Sequence, residues 1–333
     1  MAGGPDRQRV TSAGAPPIDA VLLVGFGGPS GLDEVMPFLR RVTAGRGVPD
    51  ERLALVAERY ARLGGVSPIR AQLEALAQAL AGVLDVPVHA ANRNSPPELT
   101  DVIARMTQDG VRRAAVVLMT AYSAPSACRA YRDAVHAAAA AVADAPALEL
   151  VRLVHDDAGF RAPFVDGTRA ALGAHPDAAL VFTAHSVPRA QAAASRYVAQ
   201  LEDVMAHVAQ AVGRTDPVLV WQSRSGPPQV PWLEPDVGDH LDALAADGAR
   251  TVVVVPIGFT SDHMEVAYDL DIELRARADA LGLTMVRVAT PGTDPRYVDA
   301  LVRAVEERRT HPEVAGDACP DGGQCCRVVS PAG

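Results

Sequence analysis

The chain has 333 residues, about the length of two domains of roughly 150 residues each. Nearly half of the residues (49%) are hydrophobic and only 4% are aromatic, so a sizeable core has to be built chiefly from aliphatic side chains. A formal net charge of -9 without any basic stripe excludes a nucleic-acid footprint. The opening segment 1–17, "MAGGPDRQRVTSAGAPP", is polar and rich in Pro and Gly, with no apolar h-region, and reads as a disordered segment rather than a secretory signal. The longest apolar run, "TVVVVPIGF", is far short of the roughly 20 residues that a membrane-spanning helix needs. These features predict a soluble, cytoplasmic protein with no transmembrane segment and no nucleic-acid partner.

Along the chain, short apolar runs alternate with longer stretches of helical period, the pattern of parallel α/β sheets. The first half carries strand candidates at 20–27, 86–92 and 114–122, with helical stretches such as "LDEVMPFLRRVTA", "DERLALVAERYARL", "IRAQLEALAQALAGVL" and "PELTDVIARMTQDG" between them. The second half repeats the scheme with strands at 147–155, 178–186, 217–225, 250–259 and 283–291. Its helices include "PRAQAAASRYVAQLEDVMAHVAQAVG" and "HMEVAYDLDIELRARADALG". The expected architecture is α/β, with two Rossmann-like, doubly wound lobes over 18–145 and 146–312 and a cysteine-containing tail over 313–333. Ligands of open α/β sheets sit beyond the carboxyl ends of the strands, so the residues that end the strands are where chemistry is expected.

Several strands end in unusual residues. The first runs into "GFGGPSG", a tight Gly/Pro turn but not a dinucleotide fingerprint, because the GxGxxG spacing fails. The strand "AALVFTAHS" ends on His185, whose imidazole can move protons near neutral pH and can be tuned by a nearby carboxylate. After "RTVVVVPIGF" come Glu265, Asp269 and Glu273 at i, i+4 and i+8, which predicts three carboxylates on one helical face. Such a ladder is a solvated face in an arbitrary helix; leading inward from a cleft, it is a path for a divalent cation. His263 reads as a capping or supporting residue of the same turn. The chain has no GxSxG elbow, HExxH pair or P-loop. From residues alone the expectation stops at a metal-handling or proton-abstracting α/β enzyme that takes a flat apolar ligand with polar edges.

Cysteine usage is uneven: Cys128 is internal, while Cys319, Cys325 and Cys326 crowd into the Gly/Pro/Asp-rich tail. In a cytoplasmic chain this division points to metal ligation rather than disulfides.

Five motifs in order make the chain resemble the ferrochelatase family from about residue 20 to 310: "LLVGFGGPSGLDEVMPFLRRV", "YARLGGVSPI", "TAHSVP", "WQSRSGPPQVPWLEP" and "GFTSDHMEVAYDLDIE". The resemblance implies a porphyrin held in the cleft between the two lobes, with ferrous iron inserted at the ring centre. On it His185 falls on the histidine that accepts pyrrole protons, and Glu265 on its partner across the ring. All four of His185, Glu265, Asp269 and Glu273 are implied contacts of the metal, the last two along its delivery path. Phe26 stands where many bacterial relatives carry a tyrosine and vertebrate ones a methionine; a phenyl ring cannot ligate metal, so it is expected to pack on the macrocycle. Ser67, Arg93, Tyr122, Arg132 and Trp232 are the other expected substrate contacts, with Arg129 and Arg224 as further candidates for propionates.

Some members of the family hold a [2Fe–2S] cluster on one internal and three C-terminal cysteines, and the division here matches, which implies ligation by Cys128, Cys319, Cys325 and Cys326. Tetrahedral zinc is the other ligand chemistry that four thiolates suit. The actinobacterial cast of the cysteines implies coproporphyrin III as substrate and coproheme as product. The alternatives are protoporphyrin IX as substrate, or a porphyrin or haem carrier without turnover. The resemblance also implies transient contacts with neighbouring haem-pathway enzymes, and the lack of an apolar exposed stripe predicts a monomer.

Overall fold

The computed structural model describes residues 17–226 and 229–310. The expectations for the N-terminal segment and for Cys319, Cys325 and Cys326 fall outside the described residues.

The strands are β1 (Ala20–Gly25), β2 (Val88–Asn92), β3 (Arg113–Leu118), β4 (Ala147–Leu150), β5 (Ala179–His185), β6 (Val218–Gln222), β7 (Thr251–Val255) and β8 (Thr284–Arg287). They form two four-stranded parallel sheets in the orders β2-β1-β3-β4 and β6-β5-β7-β8. The central strands β1 and β3 are buried along their whole length, as the apolar runs "AVLLVG" and, after Arg113 paired with Glu149, "AAVVL" require of strands covered on both faces. The edge strands β2 and β4 are only half-buried for most of their length.

Helices cover both sheets. The first is followed and flanked by α1 (Leu32–Val42), α2 (Asp50–Arg62), α3 (Ile69–Ala81), α4 (Leu99–Gln108) and α5 (Ala130–Ala140). The second has α6 (Ala158–Ala174), α7 (Arg189–Ala193), α8 (Tyr197–Ala211), α9 (Val237–Ala246), α10 (Met264–Ala267), α11 (Arg275–Ala280) and α12 (Pro295–Thr310).

Three sequence expectations are corrected. The strand expected in the second lobe at 147–155 is β4, which pairs with β3 and completes the first sheet, so the division between the sheets falls after residue 150 and not at 145. The long helix expected after Pro188 is two helices, α7 and α8, broken at Ala194–Arg196. There the hydroxyl of Ser195 donates to the carbonyl of Gln191, a local bond that competes with the helix ladder. The carboxylate-bearing helix is also interrupted. Only four residues of α10 are α-helical before a π-helical turn over Asp269–Leu274, marked by the amide of Glu273 donating five residues back to Tyr268.

The two sheets share one apolar core that runs from Leu23 and Leu73 through Phe160 and Phe164 to Phe182 and Val255. Burying each large side chain of this kind contributes about 1.5–3 kcal/mol. The scarce aromatic residues are gathered at its centre in a row, Phe164, Phe160, Tyr122, Tyr197 and Trp221, with successive centroids 5.5, 6.0, 6.2 and 6.1 Å apart. Helix α12 packs on α6 and also returns to α3 and β3 in the first sheet, which ties the halves together. At that crossing Gly159 is needed for closeness: a Cβ there would lie 2.1 Å from the carbonyl oxygen of Arg296.

The strand orders decide where a ligand can go. In each sheet the chain leaves one central strand toward one edge and the other toward the opposite edge, which opens a crevice at their carboxyl ends. In the second sheet those strands are β5 and β7, and they carry His185 and the approach to Glu265.

Candidate active site

His185 is the last residue of β5 and lies in register with Gln222, the last residue of β6. Glu265 sits in the single turn of α10 that follows β7. The two meet across the crevice, with His185 Nε2 3.1 Å from Glu265 Oε1. The other imidazole nitrogen, Nδ1, faces the carbonyl oxygen of Ser186, and Tyr197 Oη donates to the His185 carbonyl at 3.0 Å. With an acceptor in front of each ring nitrogen, the imidazole is arranged as a double donor. Burial alone would depress its pKa, but the charge and hydrogen bond of Glu265 and the Ser186 carbonyl outweigh that and push it up to about 9. Burial likewise acts to raise the pKa of Glu265, and the charge and hydrogen bonds of His185 and His263 overcome it, so its carboxyl stays well below the usual carboxylate range. The resting crevice therefore holds an imidazolium–carboxylate pair.

A second histidine completes the carboxylate's shell. His263 Nε2 lies 3.1 Å from Glu265 Oε2, and its side chain caps nothing in α10, so it supports Glu265 rather than the helix end. Gln222 Nε2 donates to the Glu265 main-chain carbonyl at 2.6 Å. Asp269, one turn further, accepts a hydrogen bond from Ser223 Oγ and lies 3.5 Å from Arg59 of α2. Burial raises its carboxyl to about 6, helped by Glu265 and opposed by Ser223 and Arg59. Glu273, its side chain 56% exposed, reaches the same guanidinium at 3.8 Å. The widened π-turn thus keeps Asp269 inward, with its side chain 12% exposed, and brings Glu273 to solvent. The three carboxylates therefore do not share the uniform helical face read from the i, i+4, i+8 spacing.

The first sheet supplies the facing wall. The loops after β1 and β2 are stitched together: Arg93 N donates to Gly25 O at 2.9 Å, Asn94 N to Phe26 O at 3.1 Å, and Gly28 N to Ser95 Oγ at 3.1 Å. Gly27 holds φ +88°, and a Cβ on it would lie 2.5 Å from Ser95 Oγ, so the turn needs glycine on both counts. Phe26, half-buried, packs edge-on against Phe38 at 6.2 Å, and Phe38 against Tyr60 at 6.1 Å. This small core includes Met264 and Tyr268 from the α10 region, so α1 and α2 lean on the carboxylate turn itself. Arg59 also lies over the Tyr268 ring, 5.4 Å from its centroid.

The other predicted substrate contacts divide. Arg93 is half-buried and makes no hydrogen bond or ion pair through its guanidinium among the described residues. Burial depresses its pKa, which is the signature of a charge awaiting a partner. Arg132 and Arg129 pair with Asp133, and Arg224 with Glu234. Ser67 is buried against Gly28. Trp232 is buried over Gly226, whose Cβ would lie 2.2 Å from the indole. Tyr122 does not line the crevice: it is 1% exposed, with its hydroxyl donated to Ile257 O at 2.7 Å. Its place after β3 suggested a site residue, but the side chain turns into the aromatic row. Cys128 is 7% exposed on a second π-helical turn, Pro125–Arg129, and its thiol hydrogen-bonds the Ala124 carbonyl at 3.6 Å.

Tyr60, Tyr131 and Tyr197 went unmarked in the sequence, although the charge of Glu265 helps to raise the pKa of each. Arg59, Gln222 and Ser223 were also missed. Only Gln222 and Ser223 carried a signal, as the polar pair that ends a strand inside a quoted motif.

A family model described as ferrochelatase matches residues 18–309. The chain is 50% identical over 325 residues to a coproporphyrin III ferrochelatase of Frankia alni, covering 92% of this chain and 84% of that one. It is 48% identical over 308 residues to one of Mycobacterium marinum, with 91% of each covered. Among solved structures, the sirohydrochlorin chelatase SirB of Bacillus subtilis subspecies spizizenii in complex with cobalt shares the fold at a TM-score of 0.56 and 14% identity, over 89% of this chain and 97% of that one.

The ion pair makes a pH prediction. In the substrate-free protein, histidine NMR should show His185 losing its proton near pH 9. Glu265→Gln removes the charge that holds that proton while leaving the burial, so the titration should move down toward or below the ordinary value of 6.5. A wild-type His185 that titrates at or below 6.5 contradicts the pair.

Proposed function

The chain belongs to the ferrochelatase family, and from that membership and the geometry of its crevice we propose that it inserts ferrous iron into coproporphyrin III to form coproheme. The observation that carries the reading is the His185–Glu265 pair at the β5/β7 switch point, with Asp269 held behind it. Two pyrrole protons must leave as a doubly charged metal arrives, so the site needs bases at the ring centre and a route for protons away from it. Glu265 supplies a carboxylate already ionised. Divalent charge approaching the pair disfavours the imidazolium, which makes His185 the second acceptor once its proton is released. Asp269, with a pKa of about 6, is matched to passing protons at neutral pH toward exposed Glu273. The same carboxylates attract a cation to the crevice.

The unengaged guanidinium of Arg93 supports a substrate with carboxylates at its rim, and Phe26 offers an apolar face to a planar ring. The cytoplasm is the compartment that goes with this reading, and among the described residues no helix is long and apolar enough to cross a membrane.

The reading includes a [2Fe–2S] cluster on Cys128, Cys319, Cys325 and Cys326. Cys128 supports the reading by its place: it lies on an irregular turn whose Ala127 has φ -106° and ψ -105°, beyond the carboxyl end of β3. Helix α12 is described as far as Thr310, near the opposite end of that sheet, where Arg309 pairs with Asp85 ahead of β2. Nine residues from Thr310 to Cys319 span up to about 30 Å, enough to pass the roughly 20 Å length of a six-residue strand. Bound there, the cluster would tie the tail to the first lobe and supply a one-electron redox centre.

Anaerobic incubation with ferrous iron, followed by absorbance, should show metal insertion into coproporphyrin III in preference to protoporphyrin IX. Preference for protoporphyrin IX overturns the substrate, and tight binding of both without insertion leaves a carrier. Protein purified anaerobically should carry iron and sulfide at about two each per chain. Cys128→Ser should abolish its visible absorbance; zinc without sulfide contradicts the cluster.

A further inference from the structure

Gln222 and Ser223 stand at a junction that the reaction scheme does not yet use. Gln222 is 1% exposed, and its main-chain carbonyl accepts from Ser186 N at 2.8 Å, next to His185. Its side-chain amide points the other way and donates to the Glu265 carbonyl at 2.6 Å. One buried residue thus holds the end of β5 and the start of α10 at a set separation, and these carry the two members of the ion pair. Glu265 lies in the first turn of a helical run that continues through the π-turn into α11, and Gln222 is a donor to its main chain from outside that run.

Ser223 follows with φ +61°, a left-handed conformation that is uncommon for any residue but glycine. That conformation turns its hydroxyl to Asp269. Glycine would adopt the same backbone without strain but could not make the bond. Local strain retained beside a site is a mark of a constraint set by function.

We propose that Gln222 and Ser223 are positioning residues that set Glu265 and Asp269 at their working distances from His185. The inference rests on the iron-insertion reading of the same crevice. It deepens that reading by placing the control of carboxylate geometry on the end of β6 rather than on the helix that carries the carboxylates.

The test compares Gln222→Leu, Ser223→Ala and Ser223→Gly with wild type in coproporphyrin III metallation, alongside thermal melting. Misplaced catalytic groups should lower kcat on the order of tenfold to a hundredfold. The KM for porphyrin should stay within about twofold, because neither residue contributes to uniform binding. Ser223→Gly relieves the backbone and should melt no lower than Ser223→Ala, yet lose the same turnover. Wild-type kcat in Ser223→Ala, or turnover in the two Ser223 variants that follows their melting temperatures, overturns the proposal for Ser223. For Gln222 the deciding result is kcat in Gln222→Leu, or in Gln222→Asn should the leucine variant fail to fold. If wild type itself does not metallate, the iron-insertion reading fails separately. The structure of Gln222→Leu then decides: a Glu265 carboxylate displaced from His185 upholds positioning, and an undisturbed pair removes it.

Discussion

The contact between His185 and Glu265 is the constraint on which the site depends. Neither residue is stable in this crevice as an isolated charge, because burial penalises each. Together they are stable only while the carboxyl ends of β5 and β7 stay at a set spacing. The parallel order β6-β5-β7-β8 provides it: the crossovers leave these two neighbours in opposite directions and keep helices from closing the gap between them. The pair is thus a consequence of topology, and its chemistry follows from its geometry. A resting imidazolium beside an ionised carboxylate carries no net charge, and an arriving dication upsets that balance in the direction that releases a proton.

The lobes are coupled through the same place. Arg59 comes from α2 beside the first sheet, yet it lies against Asp269, Glu273 and Tyr268 of the second. Phe38 and Tyr60 pack with Met264 and Tyr268. On the far side of the core the aromatic row reaches Tyr197, whose hydroxyl holds the His185 carbonyl. The carboxylates are therefore braced directly by the first lobe, and the imidazole through Tyr197, on which Tyr122 of the first lobe packs. A shift of one lobe against the other would change the distances that matter.

Much of this was legible in the sequence for simple reasons. The central strands announce themselves as apolar runs because they are buried on both faces, and the edge strands follow from the spacing between them. His185 is conspicuous as a polar residue at the end of such a run, and Glu265 as the first glutamate after another. What was lost is what side-chain direction and tertiary contact decide. Tyr122 follows a strand just as Phe26 does, but it turns into the core. Of four candidate arginines, three are paired with carboxylates that lie one or more residues away, and only Arg93 has no carboxylate partner among the described residues. The assignment of 147–155 to the wrong sheet arose because an edge strand pairs by topology, not by its position in the chain. A π-turn leaves no mark in hydrophobic period, so the true path of the carboxylates could not be read from their spacing. Gln222 and Ser223 act through contacts with residues more than forty positions away, which no local pattern encodes.

The central claim is that His185 and Glu265 act as one unit. It is tested most directly by a double-substitution cycle on metallation rate with His185→Ala, Glu265→Gln and the two combined. Residues that work as a unit give strongly non-additive losses. The account predicts that the double variant is scarcely slower than the slower single one. Losses that multiply would show two independent groups and contradict it.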